Sequence, residues 1–121
     1  MDTTTTLPPE PGSARAARRF VATALHERER DHVADAVELL TSELVTNAIL
    51  HARTDITVSV TFRGDAVRVE VSDRNPRVPV HRRYDVEAPT GRGLELVDVM
   101  AGAWGVEAGD PDKTVWFEVP S

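Results

Sequence analysis

SELVTNAILHA, residues 42–52, places a carboxylate, Glu43, and a carboxamide, Asn47, four positions apart in an otherwise apolar helical pattern. One helical turn, about 5.4 Å along the axis, separates them, so both project from one face. Leu39, Leu40, Leu44, Val45, Ala48 and Ile49 supply the apolar remainder. Two polar groups stacked on a largely buried helix, an oxygen ligand beside a potential base, suit a metal–phosphate site. Taken alone, the pair also fits a plainer reading, the solvent-facing polar stripe of an amphipathic helix.

Working outward, the helix carrying this pair is expected over residues 31–51, with Asp31 as a possible cap. Val33, Val37, Leu40, Leu44 and Ala48 mark its buried face. Ahead of it, a first helix is expected over residues 13–29, capped by Ser13, with Ala16, Phe20, Val21 and Ala24 at helical spacing. Residues 1–12 are rich in Thr and Pro and form an N-terminal extension, with a short edge strand over 3–7 that the prolines stop. Beyond residue 52 the period changes to two. Ile56, Val58, Val60 and Phe62 alternate with Thr57, Ser59 and Thr61; Gly64-Asp65 signals a hairpin; Val67, Val69 and Val71 lead to a strand end at Asp73. Pro76, Pro79 and Pro89 argue for a loop, Gly91-Arg92-Gly93 opens a third helix, and residues 104–107 and 114–119 read as a closing antiparallel pair. Strands cluster and helices can cover only one face. The fold class is therefore α+β, a two-layer sandwich with a mixed, mostly antiparallel sheet under three helices. Residues 13–121 form one domain.

Composition narrows the function classes. The chain has 121 residues, 40% apolar and 28% charged, enough for one core. A net charge of −6 argues against a nucleic-acid binder driven by phosphate neutralisation. The absence of cysteine excludes disulfides and thiolate metal sites and is compatible with a reducing cytoplasm. The start of the chain has no apolar core for a signal peptide, and no apolar run spans a bilayer.

Three features follow in order: Glu43 and Asn47 late in a helix, Asp73 ending a strand, and Gly91-Arg92-Gly93 opening a helix. Each alone has a plain meaning. An Asp before Arg-Asn-Pro forms turns, and a Gly-x-Gly at a helix start is a tight turn. His51 reads as a packing or capping residue, and Trp104 and Trp116 as sheet and core aromatics. The joint order is far more specific. ELVTNA with His51, VSDRNP, TGRGLELV and KTVWFEV together resemble the N box, the glycine boxes and the last strand of the GHKL ATPase superfamily. That is the Bergerat nucleotide fold of histidine kinases, DNA gyrase and a major heat-shock chaperone. The resemblance is closest to bacterial anti-sigma-factor serine/threonine kinases of the RsbW and SpoIIAB type.

This resemblance implies roles for individual residues. Asn47 would ligate a Mg²⁺ that bridges the phosphates of ATP, and Glu43 would be the general base. Asp73 would accept a hydrogen bond from the adenine amine. Gly91, Arg92, Gly93 and Leu94 would bind the phosphates at a helix N-terminus, and Thr114 would support the adenine. It further implies a cytoplasmic kinase that phosphorylates an anti-sigma-factor antagonist with a STAS domain, sequesters a sigma factor and forms a homodimer. Two positions depart from the family. Asn75 stands where a glycine is usual, and Asp112 replaces the glycine before Lys113. The stretch from Asp73 to Gly91 is also short for the family's lid over the nucleotide. These departures keep open a second expectation, a non-catalytic partner-switching regulator that acts by protein binding.

Overall fold

The computed structural model describes residues 2–74, 101–108 and 112–121. Its elements run β1 (Asp2–Leu7), α1 (Gly12–Glu27), a 3₁₀ turn (Asp31–Val33), α2 (Ala34–His51), β2 (Ile56–Arg63), β3 (Ala66–Asp73), β4 (Ala103–Ala108) and β5 (Lys113–Pro120). The third helix expected from Gly91 lies outside the described residues.

The strands form one sheet in the order β1-β2-β3-β5-β4, and every neighbouring pair is antiparallel. The mostly antiparallel sheet that was expected is, among the described residues, antiparallel throughout. After the long connection β4 runs the same way as β3, but β5 inserts between them, so no parallel pair forms among the described strands. Alternation sets which side chains face inward. Val58, Val60 and Phe62 align with Val71, Val69 and Val67, which align in turn with Val115, Phe117 and Val119, and all but the half-buried Phe62 are buried. α1 and α2 pack against each other and over this face. Removing so much branched and aromatic surface from water is the main favourable term in folding, about 1.5–3 kcal/mol for each fully buried Val or Leu.

Local chemistry explains the element ends. Four of the six residues of β1 are threonine, a β-branched residue suited to a pleated surface. Pro8 and Pro9 lack the N–H that a ladder needs and stop it. Ser13 does not cap α1. The helix starts one residue earlier, and the buried Ser13 hydroxyl donates to the Pro8 carbonyl, tying the turn back to the strand. The buried face of α1 is also rotated from the expected one. Ala17, Val21, Ala24 and Leu25 are buried, Phe20 is half-buried and Ala16 is exposed. On α2, Val37, Leu40, Leu44 and Ala48 are buried as expected, joined by Thr41, Val45 and Asn47. Asp31 opens the 3₁₀ turn rather than capping α2, and its carboxylate meets His26 at 3.1 Å. Gly64 takes a φ of 55°, in the left-handed region, to close the β2–β3 hairpin.

No described element covers the opposite face of the sheet. It carries a hydroxyl row and a charged cluster. Thr4 meets Ser59 at 3.1 Å, and Ser72 meets Thr114 at 2.7 Å. Arg68 donates from Nε to Glu70 at 2.8 Å and from Nη1 to Glu118 at 3.0 Å. Its guanidinium carbon lies 4.0 Å above the centre of a Trp116 ring. Burial opposes the charge on Arg68, yet hydrogen bonds and charge from Glu70 and Glu118 outweigh it and hold its pKa above the ordinary value. Trp116 thus belongs to the open face, whereas Trp104 packs against the core. Gly105 makes the stack possible, since a Cβ there would fall 2.9 Å from Trp116 Cζ2. Gly105→Ala should therefore displace the indole from Arg68 and cost about 1–3 kcal/mol. A lowered melting temperature with altered near-ultraviolet circular dichroism is the expected result. An unchanged melting curve would show that the stack is not under this constraint.

Candidate functional site

α2 ends, β2 begins, β3 ends and β5 begins at one end of the sheet. The chain makes these ends coincide by strict pairing, with Ile56 aligned with Asp73 and Asp73 with Lys113. α2 closes with the Ala52 and Arg53 amides both donating to the Ala48 carbonyl, at 2.8 and 3.4 Å. Arg53 turns the chain with a φ of 59°. The Arg74 amide donates to Thr54 Oγ1 at 3.0 Å, binding the exit of β3 to the turn between α2 and β2.

Asn47 is fully buried on the last turns of α2, among Leu44, Val45 and Ala48. A buried carboxamide on such a face is costly unless its polar atoms are used. Glu43, one turn earlier, is half-buried and makes no ion pair among the described residues. Next to it, Arg18 Nη1 donates to Ser42 Oγ at 2.9 Å, fixing α1 against this stretch of α2. The pair is therefore not a solvent-facing stripe. One member sits in the core, the other at its edge. His51 ends the helix, half-buried.

Asp73 continues the inward alternation of Val67, Val69 and Val71 and is 3% exposed. On the facing strand the inward residue is Lys113, in phase with Val115 and Phe117. Its Nζ lies 3.2 Å from Asp73 Oδ2, with both side chains 3% exposed. Thr114, expected beside the base, projects from the other face of the sheet, where its hydroxyl meets Ser72. Lys113 was not anticipated as a site residue, although the period of two through Val115, Phe117 and Val119 places it on the side of Asp73. A cleft of about 450 Å³ also opens at this end, lined by Thr6, Asp55, Thr57, Ser72, Asp73, Arg74 and Asp112. Its hydroxyl lining comes from the open face, so it approaches Asp73 from the side away from Asn47. Gly91, Arg92, Gly93, Leu94 and Asn75 lie outside the described residues.

The structure thus gathers Asn47, Asp73 and Lys113 at one end of the helix-covered face, with Glu43 one turn up α2, and sets Thr114 apart. Among the described residues no helix is long and apolar enough to cross a membrane.

Comparison with known proteins bears on this arrangement. The sequence pattern of the histidine kinase-like ATPase domain matches residues 7–118. No curated protein sequence matches the chain. Among solved structures, the RsbU and RsbW domains of Rv1364c from Mycobacterium tuberculosis superpose with a TM-score of 0.75 at 22% identity, covering 99% of this chain and 32% of that one. The chain therefore spans about a third of that protein's length. The histidine kinase domain of the Erythrobacter litoralis EL346 blue-light activated histidine kinase follows, with a TM-score of 0.59 at 18% identity over 88% of this chain and 60% of that one. The Acinetobacter baumannii histidine kinase AdeS gives 0.57 at 14% identity over 98% and 67%. At these identities the likeness is one of fold.

Proposed function

Because the chain belongs to the histidine kinase-like ATPase family, we propose that it binds ATP with Mg²⁺ where α2, β3 and β5 meet and acts as a protein serine/threonine kinase. Its substrate on this reading is an anti-sigma-factor antagonist of the STAS type. Phosphorylation of that antagonist leaves the kinase, as a cytoplasmic homodimer, free to sequester a sigma factor. The observation that carries the reading is the fully buried Asn47 one turn from Glu43, at the sheet end where Asp73 is buried.

Each residue has a distinct task. Asn47 offers a hard carboxamide oxygen. Mg²⁺ accepts few protein ligands and completes its shell with phosphates and water, so one such oxygen suits it. Among the described residues no three His, Asp or Glu side chains gather to hold a metal unaided. Bound there, the ion would neutralise charge on the phosphates. Glu43, at the edge of the core, would take the proton from an attacking serine hydroxyl. Asp73 would accept from the exocyclic amine of adenine. Such a bond is worth roughly 1.5–3 kcal/mol. Gly91, Arg92, Gly93 and Leu94, which lie outside the described residues, would complete the phosphate site.

Thermal denaturation with ATP, with and without Mg²⁺, tests the reading. Mg-ATP should raise the melting temperature, and Asn47→Ala should remove the Mg²⁺-dependent part of the rise. An identical Mg²⁺ dependence in the variant would contradict the ligand assignment. A second reading, a non-catalytic partner-switching regulator, is favoured by one observation. Lys113 already engages the carboxylate that would receive the base. A melting temperature indifferent to millimolar Mg-ATP would support that reading.

A further inference from the structure

The Asp73–Lys113 pair extends the nucleotide reading, on which this inference rests, to base selection. A carboxylate alone presents only acceptors. It matches the exocyclic amine of a 6-aminopurine and repels the carbonyl of a 6-oxopurine. Here the carboxylate has an ammonium beside it. Lys113 Nζ sits 3.2 Å from Asp73 Oδ2, both are buried, and strand register places both on the helix-covered side of the sheet. Lysine carries three donors and no acceptor, so the two side chains offer an acceptor and a donor at adjacent points.

The purine edge at positions 6 and 1 carries the complementary couple in either order. In adenine the amine donates and N1 accepts. In guanine and hypoxanthine the 6-oxygen accepts and N1–H donates. We propose that Lys113 is a specificity-determining residue that lets the site accept 6-oxopurine nucleotides alongside ATP. Asp73 accepts a hydrogen bond from the base's donor in both cases, and Lys113 donates one to the neighbouring atom that accepts. Without the ammonium at position 113 the oxo group would lose its charged donor, and a buried acceptor left unpaired is poorly tolerated.

Calorimetric titration of the full chain with ATP and ITP in Mg²⁺ tests this without any substitution. The expected result is ITP affinity within about tenfold of ATP, that is within about 1.4 kcal/mol. Lys113→Thr should weaken ITP by more than about tenfold beyond any loss of ATP affinity. Lys113→Arg, which retains a cation and donors, should keep both ligands and guards against a Thr variant that fails to fold. Wild-type discrimination against ITP by more than about tenfold overturns the inference and leaves the ATP site standing. An ITP affinity that Lys113→Thr lowers no more than it lowers ATP affinity overturns it as well. If neither nucleotide binds, the inference falls together with the reading it rests on.

Discussion

Glu43→Gln should abolish phosphoryl transfer to the antagonist while ATP still binds. The substitution keeps the shape and hydrogen-bonding length of the side chain and removes only its capacity to take a proton. Glu43 is half-buried at the edge of the core, so the change opens no cavity, and the fold should persist. General-base catalysis by a positioned side chain is worth about 10²–10⁴ in rate, and a loss of that size is the expected magnitude. The readout is single-turnover transfer from labelled ATP, with ATP affinity measured on the same sample. Asn47→Ala behaves differently, because it weakens Mg-ATP itself. The base assignment would be wrong if Glu43→Gln transferred phosphate at the wild-type rate. It would also be wrong if activity fell only in step with ATP affinity.

The largest effect on stability is expected at the buried ion pair. Lys113→Met removes the ammonium from Asp73 and leaves a carboxylate with 3% exposure beside an apolar side chain. Breaking one side of a buried pair typically costs about 3–5 kcal/mol, because the remaining charge is not returned to water. Against a total stability of about 5–15 kcal/mol for a domain, that brings the chain close to unfolding. Replacing both partners together, Asp73→Asn with Lys113→Met, should recover most of the loss, since neutral groups of similar size pack without the desolvation penalty. Urea midpoints of wild type, single and double variants measure this directly. A single variant as stable as wild type would mean that the pair is solvated in a way its burial does not suggest. A double variant no better than the single would place the cost in packing rather than charge.

Much of this arrangement is legible in the residues, for physical reasons that differ by element. The period of two in β2 and β3 is unambiguous because valine and threonine alternate without interruption, and Gly64-Asp65 marks the hairpin between them. α2 is legible because its apolar stripe is dense. α1 is harder. Alanine is so frequent there that several faces look equally apolar, and only packing against β1 and α2 selects Ala17 and Leu25 over Ala16. The antiparallel sheet required knowing that β5 enters between β3 and β4, a long-range pairing with no local signature. At the site, Glu43, Asn47 and Asp73 were readable as polar residues interrupting apolar patterns. Lys113 was obscured by the family pattern, which drew attention to Thr114. Strand alternation, followed one residue further toward the start of β5, points to Lys113.

On the proposed function, the sheet end bearing Asn47 and Asp73 holds a magnesium nucleotide. The most direct measurement is an equilibrium titration of the chain with ATP in the presence and absence of Mg²⁺, repeated with Asn47→Ala. Saturable binding of one ATP per chain is expected, tightened by Mg²⁺ in the wild type and indifferent to Mg²⁺ in the variant. Failure of the wild-type chain to bind Mg-ATP at millimolar concentration would contradict it.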